Sequence, residues 1–115
     1  MKLIVAGSRS FADREMAFER LDFFTAHRQT VTVVCGMATG ADLIGKEWAL
    51  ARGHGVIEKP ADWERQGRAA GFIRNGEMAM IADALVAFWD GKSRGTKDMI
   101  DKMNKMHKPV RVVTF

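Results

Sequence analysis

The 115-residue chain contains one cysteine, Cys35, and two prolines, Pro60 and Pro109. A single thiol excludes an internal disulfide and a cysteine-based zinc cage. No apolar run approaches the roughly 20 residues that a membrane span requires. The first strand-like run, Leu3–Ala6, starts almost at Met1 and leaves no room for a signal peptide. The expectation is a soluble, cytoplasmic domain that spans no membrane. Internal repeats, low-complexity tracts and linkers are lacking too, so residues 1–115 read as one domain. At this length a chain buries roughly two-thirds of its unfolded surface, and it needs no staple. His27, His54 and His107 show no metal-ligand spacing, so neither a metal nor a cofactor is expected.

The charge is mildly basic, with 18 Lys and Arg against 14 Asp and Glu, a net of +4. That balance suits a phosphate-bearing partner without requiring one. The basic residues are densest after position 91, where a solvated helix face accounts for much of the charge.

Five short apolar runs divide the chain: Leu3–Ala6, Val31–Cys35, Gly55–Ile57, Ala84–Trp89 and Val110–Phe115. The first two and the last are continuous, Val- and Ile-rich and poor in charge, which predicts strands buried on both faces. Between the runs lie four helical spacings: Ala17, Leu21, Phe24; Ala41, Ile44, Trp48, Ala51; Ala70, Ile73, Met80, Ile81; and Met99, Ile100, Met103, Met106. These stripes read as core. Strand and helix therefore alternate, which predicts an α/β fold with a parallel sheet and helices on both faces. The strand order is then 3-2-1-4-5 or 2-1-3-4-5. The prolines fall at strand edges, where a missing N–H is tolerated.

Three strands run into loops of small residues: Gly7-Ser8-Arg9-Ser10, Gly36-Met37-Ala38-Thr39-Gly40-Ala41-Asp42, and Asp90-Gly91-Lys92-Ser93-Arg94-Gly95-Thr96. Such loops gather at the carboxyl edge of a parallel sheet, where ligands bind at the reversal of strand order. Glycine permits close approach, the N–H groups of the following helix attract an anion, and the hydroxyls and Arg9, Lys92 and Arg94 add donors and charge. One such loop is accounted for by a tight turn. Three converging loops favour a phosphate or nucleotide pocket. The P-loop and the dinucleotide fingerprint are both missing, which argues against a nucleotide triphosphatase or a standard nicotinamide dehydrogenase.

A second group follows the third run. Asp62 is placed to cap the next helix, with Trp63 beside it. Arg74 and Asn75 are polar residues inside an otherwise apolar helix, and Asn in mid-helix invites a hydrogen-bonding role. Asp42, at the start of the second helix, caps that helix or holds a ribose hydroxyl. Cys35, closing a buried strand, reads as a packed, inert thiol.

Taken in order, Gly7-Ser8-Arg9, Gly36-x-x-x-Gly40-Ala41-Asp42, Trp48-Ala49, Pro60-Ala61-Asp62-Trp63, Arg74-Asn75-x-x-Met78 and Phe88-Trp89-Asp90-Gly91-x-Ser93-x-Gly95-Thr96 resemble the YspA/YpsA-like branch of the SLOG superfamily. The resemblance covers nearly the whole chain. It implies a Rossmann-like three-layer α/β/α sandwich with a five-stranded parallel sheet in the order 3-2-1-4-5. It also implies binding of a nucleotide or nucleotide-derived ligand, often as a sensor. The residues then expected at the ligand are Gly7, Ser8 and Arg9; Gly36, Met37, Ala38, Gly40 and Asp42; Trp63, Arg74 and Asn75; and Gly91, Ser93, Gly95 and Thr96. Phosphate is expected on the first and last of these loops, with Arg74 pairing with it or supporting the ribose, and Trp63 stacking on the base.

Two relatives within that superfamily frame the alternatives. The lonely-guy phosphoribohydrolases carry an Arg-Lys-x-x-Met helix, similar to Arg74-Asn75-x-x-Met78, and a Gly-Thr-x-x-Glu loop, similar to Gly95-Thr96 with Met99 at the catalytic glutamate. Splitting an N-glycosidic bond needs a nearby carboxylate, so hydrolysis is the second reading. It leaves Arg74 and Asp98 as catalytic candidates and Asp90 or Asp42 as substitutes. DNA-processing protein A carries a stretch similar to Gly36–Asp42. Non-specific strand binding wants a basic groove with stacking aromatics, whereas Trp48 and Trp89 read as packing residues, so nucleic acid is the weakest of the three readings. Relatives associate through helices, and the Met-rich last helix with Phe72 offers a face for a homo-oligomer, although the same residues serve equally as core.

Overall fold

Parallel strands are joined only by crossovers, and the five strands here are separated by helical segments throughout. The computed structural model describes residues 1–28 and 30–115. The strands are β1 (Lys2–Gly7), β2 (Thr32–Cys35), β3 (Gly55–Glu58), β4 (Ala84–Trp89) and β5 (Val110–Thr114). They pair in parallel in the order β3-β2-β1-β4-β5. This is the expected Rossmann-like arrangement, and it places β1 against β4 with Gly7 opposite Phe88. The helices are α1 (Arg14–Phe24), α2 (Ala41–Ala51), α3 (Trp63–Gln66), α4 (Ala70–Ile81) and α5 (Arg94–Lys105), with a 3-10 turn at Gly67–Ala69 between α3 and α4. Among the described residues no helix is long and apolar enough to cross a membrane.

Alternation along the strands builds two cores. Leu3, Val5, Val33, Cys35, Val86 and Phe88 face α1 and α2, where they meet Ala17, Leu21, Ile44 and Trp48. Ile4, Ala6, Val34, Leu85 and Ala87 face the other way and meet Met78 and Ala79 of α4 and Met99, Ile100 and Met103 of α5. The central strands β1, β2 and β4 are thus buried on both faces. β5 departs from the expectation of a strand buried on both faces. Of its residues only Val113 is buried, while Arg111, Val112 and Thr114 are exposed. The reason is its place at the sheet's edge, where its outer side has no neighbour and α5 lies mainly over β4.

Three helical stripes also need correction. Asp62 caps a helix as expected, accepting from the Arg65 N–H at 3.2 Å. That helix ends after one turn, because Gly67 adopts φ +56° and reverses the chain into the 3-10 turn. In α4 the buried positions are Ala70, Asn75, Met78 and Ala79, whereas Ile73 and Met80 point to solvent. Ala51 and Met106, at helix ends, are exposed as well. The C-terminal end of α4 is closed by Lys108, whose Nζ donates to the Ala79 and Met80 carbonyls.

Candidate functional site

The loops after β1 and β4 leave neighbouring strands toward opposite faces of the sheet and open a crevice at its carboxyl edge. Ser8 ties its walls together. Its N–H donates to the Phe88 carbonyl at 2.9 Å, and its own carbonyl accepts from Phe11 N at 3.1 Å and Ala41 N at 3.4 Å. Its Oγ accepts from the Asp90 N–H at 3.1 Å. The third loop is drawn in by Gly40, at φ +81°. A Cβ there would stand 2.5 Å from the carbonyl oxygens of both Ser8 and Arg9, so only glycine lets α2 start this close to the β1 loop.

The crevice is a cavity of about 470 Å3. Its apolar floor is Ala6, Met78 and Met99, the last occupying the position that carries a catalytic glutamate in the hydrolase pattern. Toward α2 the wall is Asp42, a buried side chain that does not cap its helix. The capping position is Gly40, and Asp42 instead accepts from the Ala38 N–H at 3.3 Å and braces the Gly36–Gly40 turn. Burial pushes the Asp42 carboxyl up to about 6, against the opposing pull of Arg74, the Ala38 N–H and Arg9. It is therefore a carboxyl close to half-protonation at mildly acid pH. Cys35 lies beneath, its thiol pushed up to about 11 by burial, which makes it a packing group.

Beside Asp42, on the other side of Gly36, Arg74 donates to the Gly36 carbonyl and, through Nε, to Asn75 Oδ1 at 3.1 Å. Asn75 is buried in mid-helix because its amide has partners there. Its Nδ2 donates to the Gly95 carbonyl and to Asp98 Oδ2, both at 3.1 Å, which ties α4 to the start of α5. Asp98 is held in turn by Lys102 Nζ at 2.6 Å. At the end of β4, Asp90 Oδ1 accepts from the N–H groups of Lys92 and Ser93 at 2.8 Å each, which keeps its carboxyl below the usual range. Ser93 precedes α5 but makes no capping hydrogen bond with its side chain. Its Oγ lies 3.2 Å from Thr96 Oγ1, so two hydroxyls and an uncapped helix start face the cavity together.

The outer lip is aromatic and basic. Trp63 is 52% exposed and lies over Gly71, where a Cβ would sit 3.5 Å from its Cη2. Phe72 and Arg68 stand beside it in the wall. Among the described residues Arg9, Arg68 and Arg74 form no ion pair.

The fold thus gathers Gly7, Ser8, Arg9, Ala38, Asp42, Trp63, Arg74, Asn75, Ser93, Gly95 and Thr96 around one cavity. Gly36, Met37, Gly40, Gly91 and Asp98 are outside its lining. Gly36 is buried behind Arg74 and Asp42. Met37, at φ +65°, turns its sulfur to within 3.6 Å of Cys35 Sγ. Gly40 is pressed against the β1 loop, Gly91 turns outward, and Asp98 is taken up by Asn75 and Lys102. Sequence reasoning missed Arg68 and read Phe72 as an association or core residue; the 3-10 turn and the first turn of α4 bring both to the lip beside Gly71. The signal was the glycine-punctuated basic stretch after Trp63, whose direction depends on the break at Gly67. Among the described residues no group of His, Cys, Asp and Glu is placed to hold a metal ion.

Comparison with known proteins agrees with this architecture. Gene 61 protein of Mycobacterium phage D29 is 36% identical over 116 residues, covering 95% of this chain and 93% of that protein. The structure of DNA processing protein A from Helicobacter pylori, solved in work on its single-stranded DNA binding mode, matches with a TM-score of 0.73 at 16% identity. That match covers 97% of this chain and 64% of the other, and at this identity it speaks for the fold alone. Residues 1–66, which hold β1 through α3 and two of the three cavity loops, match the model of the YspA, cpYpsA-related SLOG family. The chain belongs to the YspA, cpYpsA-related SLOG family.

Proposed function

We propose that residues 1–115 act as one binding unit for a nucleotide or nucleotide-derived small molecule, held in the cavity between β1 and β4. The observation that carries this reading is the set of three arginines, Arg9, Arg68 and Arg74, that line one cavity and form no ion pair among the described residues, the buried Asp42 being the carboxyl on which Arg74 and Arg9 act. Such a concentration of positive charge around a crevice calls for an anion. The uncapped start of α5, with the Ser93 and Thr96 hydroxyls, suits a phosphate. Asp42 suits a ribose hydroxyl. Trp63, half-exposed at the lip, suits the face of a base.

The supporting test is calorimetric titration with nucleoside monophosphates and ADP-ribose, with chromatography of the ligand afterwards. Binding with intact recovery is expected. Arg74→Ala should weaken it about tenfold or more, since a charge-assisted contact contributes about 1.5–3 kcal/mol. Unchanged affinity in the folded variant removes Arg74 from the site. Recovery of free base and ribose phosphate would instead support hydrolysis. Asp98 is a poor candidate for that step, because its carboxylate is bound by Asn75 and Lys102 outside the cavity. Asp42 and Asp90 stand in the wall.

A second reading, single-stranded nucleic acid, draws on the lip. Trp63 and Phe72 are both exposed, with Arg65 and Arg68 between them in sequence. Aromatic platforms beside cations are what strand binding uses, and the Helicobacter protein that shares this fold binds single-stranded DNA. Titration with a short oligonucleotide separates the readings. Binding that persists in Arg74→Ala but is lost in Trp63→Ala would favour the strand.

A further inference from the structure

We infer that, given the reading of this cavity as an anion site, Asp42 meets the ligand as a neutral acid, so that the anion is taken up together with one proton. Asp42 stands in the cavity wall and is 6% exposed. Among the described residues its carboxyl accepts from the Ala38 N–H at 3.3 Å and forms no ion pair. Arg74 of α4 is close without closing on it. A Cβ at Gly36 would stand 2.5 Å from Arg74 Nη1 and 2.7 Å from Asp42 Oδ2, so the two groups flank that glycine, and the guanidinium is committed to the Gly36 carbonyl. Arg9, on the loop after β1, acts on the carboxyl more weakly than Arg74. Arg68 stands at the lip, and the loop after β4 presents Asp90, of the same sign as Asp42. Cys35 of β2 lies beneath as a neutral thiol. On α2 itself Lys46 and Glu47 are taken up by Glu58 and Arg14.

Burial favours the neutral carboxyl while Arg74 and Arg9 favour the charged one, and the balance leaves Asp42 at about 6. A bound anion tips that balance in one direction. It engages the charge of Arg74 and Arg9, it sets a like charge beside the carboxyl, and it displaces water from the crevice. Like charges that share a water-poor site do not both stay ionised. Asp90 is not the group that takes the proton, because the Lys92 and Ser93 N–H groups hold its carboxyl below the usual range. Protonated, Asp42 offers the ligand an O–H donor and still accepts a ribose hydroxyl through its carbonyl oxygen. The liganded carboxyl then titrates above the free one. By linkage, affinity rises as pH falls from the liganded value toward about 6 and levels off below it.

The test is calorimetric titration of the full chain with ADP-ribose, whose pyrophosphate diester keeps a constant charge over the range used. Titrations at about pH 5.5 and about pH 7.5, each in two buffers of different ionisation enthalpy, report both affinity and protons exchanged. The expected result is binding about fivefold tighter or more at the lower pH, with protons drawn from the buffer at the higher. Asp42→Asn is the second arm. It keeps an acceptor for the Ala38 N–H and presents N–H donors to the cavity, as the neutral acid presents its O–H. It should bind equally at both pH values and, at the higher, more tightly than the wild type. Among the described residues no histidine lines the cavity, and the comparison with Asp42→Asn removes any contribution of theirs. Equal wild-type affinity at the two pH values, proton release on binding, or a pH dependence that survives in Asp42→Asn would each overturn the proposal while leaving the cavity an anion site. No binding by either protein would instead overturn the reading of the cavity, and the proposal with it.

Discussion

α2 and α4 are crossovers of nearly equal length on opposite faces of the same sheet, and they differ in how their polar residues are used. α2 turns Ala41, Ile44, Gly45, Trp48 and Ala49 inward, and Gly45 packs so closely that a Cβ would meet Val5 Cβ at 2.5 Å. Its outer face mixes the exposed Leu43 and Leu50 with Lys46 paired to Glu58 and Glu47 paired to Arg14. The Trp48 indole N–H reaches Asp22 of α1 at 2.9 Å, and Arg52 grips the same carboxylate. α4 instead turns a guanidinium and an amide toward the cavity and shows Phe72, Ile73 and Met80 to solvent. A helix that only closes a core needs the first pattern. The second is the pattern of a helix whose inner face lines a cavity as well as a core.

The contrast can be broken at its strong end first. Trp48→Ala should cost about 3–5 kcal/mol of unfolding free energy in urea, since it leaves a large cavity between α2 and the sheet. A loss under about 1 kcal/mol would show that α2 is no anchor.

Asp42 is the exception on α2, a buried carboxyl that faces the cavity. Its native value of about 6 lies above the ordinary carboxylate value of 3.8. The native state therefore keeps a proton that the unfolded chain has released, and stability falls as pH rises from about 4 to about 6. The full loss is present at pH 7. Asp42→Asn, neutral throughout and still able to accept from Ala38, should stabilise the protein at pH 7 by about 2–3 kcal/mol and bring no gain at pH 4. Urea melts at the two pH values compare these directly, and a gain equal at both would mean that Asp42 is ionised normally.

Asn75→Ala on α4 should be milder. It frees the Gly95 carbonyl and the Arg74 Nε–H and leaves Asp98 to Lys102 alone, at a cost of about 1–2 kcal/mol. Ligand affinity should fall with it, because the start of α5 loses its tie to α4. Unchanged affinity would show that α5 is positioned by the sheet alone. The smallest effect belongs to the solvent face of α2. Leu50→Ser should shift stability by less than about 0.5 kcal/mol and leave the oligomeric state unchanged.

Much of the fold was legible because burial on both faces leaves a plain mark. β1 and β2 read as continuous apolar runs, and the glycine-rich ends of β1, β2 and β4 indicated which edge of the sheet carries the cavity. β5 looked the same in sequence and proved half-exposed, since the composition of a strand does not say which neighbours flank it. Ile73 and Met80 read as core for a related reason. On a helix with apolar residues on nearly every side, periodicity does not choose the buried one, and in the fold it is the side on which Asn75 meets the Gly95 carbonyl and Asp98. The break at Gly67 was equally hidden, because a glycine before a 3-10 turn and a glycine within a helix look alike until φ is known.

The order of apolar runs, small-residue loops and helical spacings determined the alternating α/β architecture, since these are local properties set by side-chain size and backbone freedom. The gathering of Arg9, Arg68 and Arg74 around one cavity, the withdrawal of Gly36, Met37 and Asp98 from it, and the raised carboxyl of Asp42 were decided by tertiary structure. Charge, burial and reach depend on which groups meet across the β1–β4 switch point, and those groups lie as far apart in the chain as residues 9 and 74.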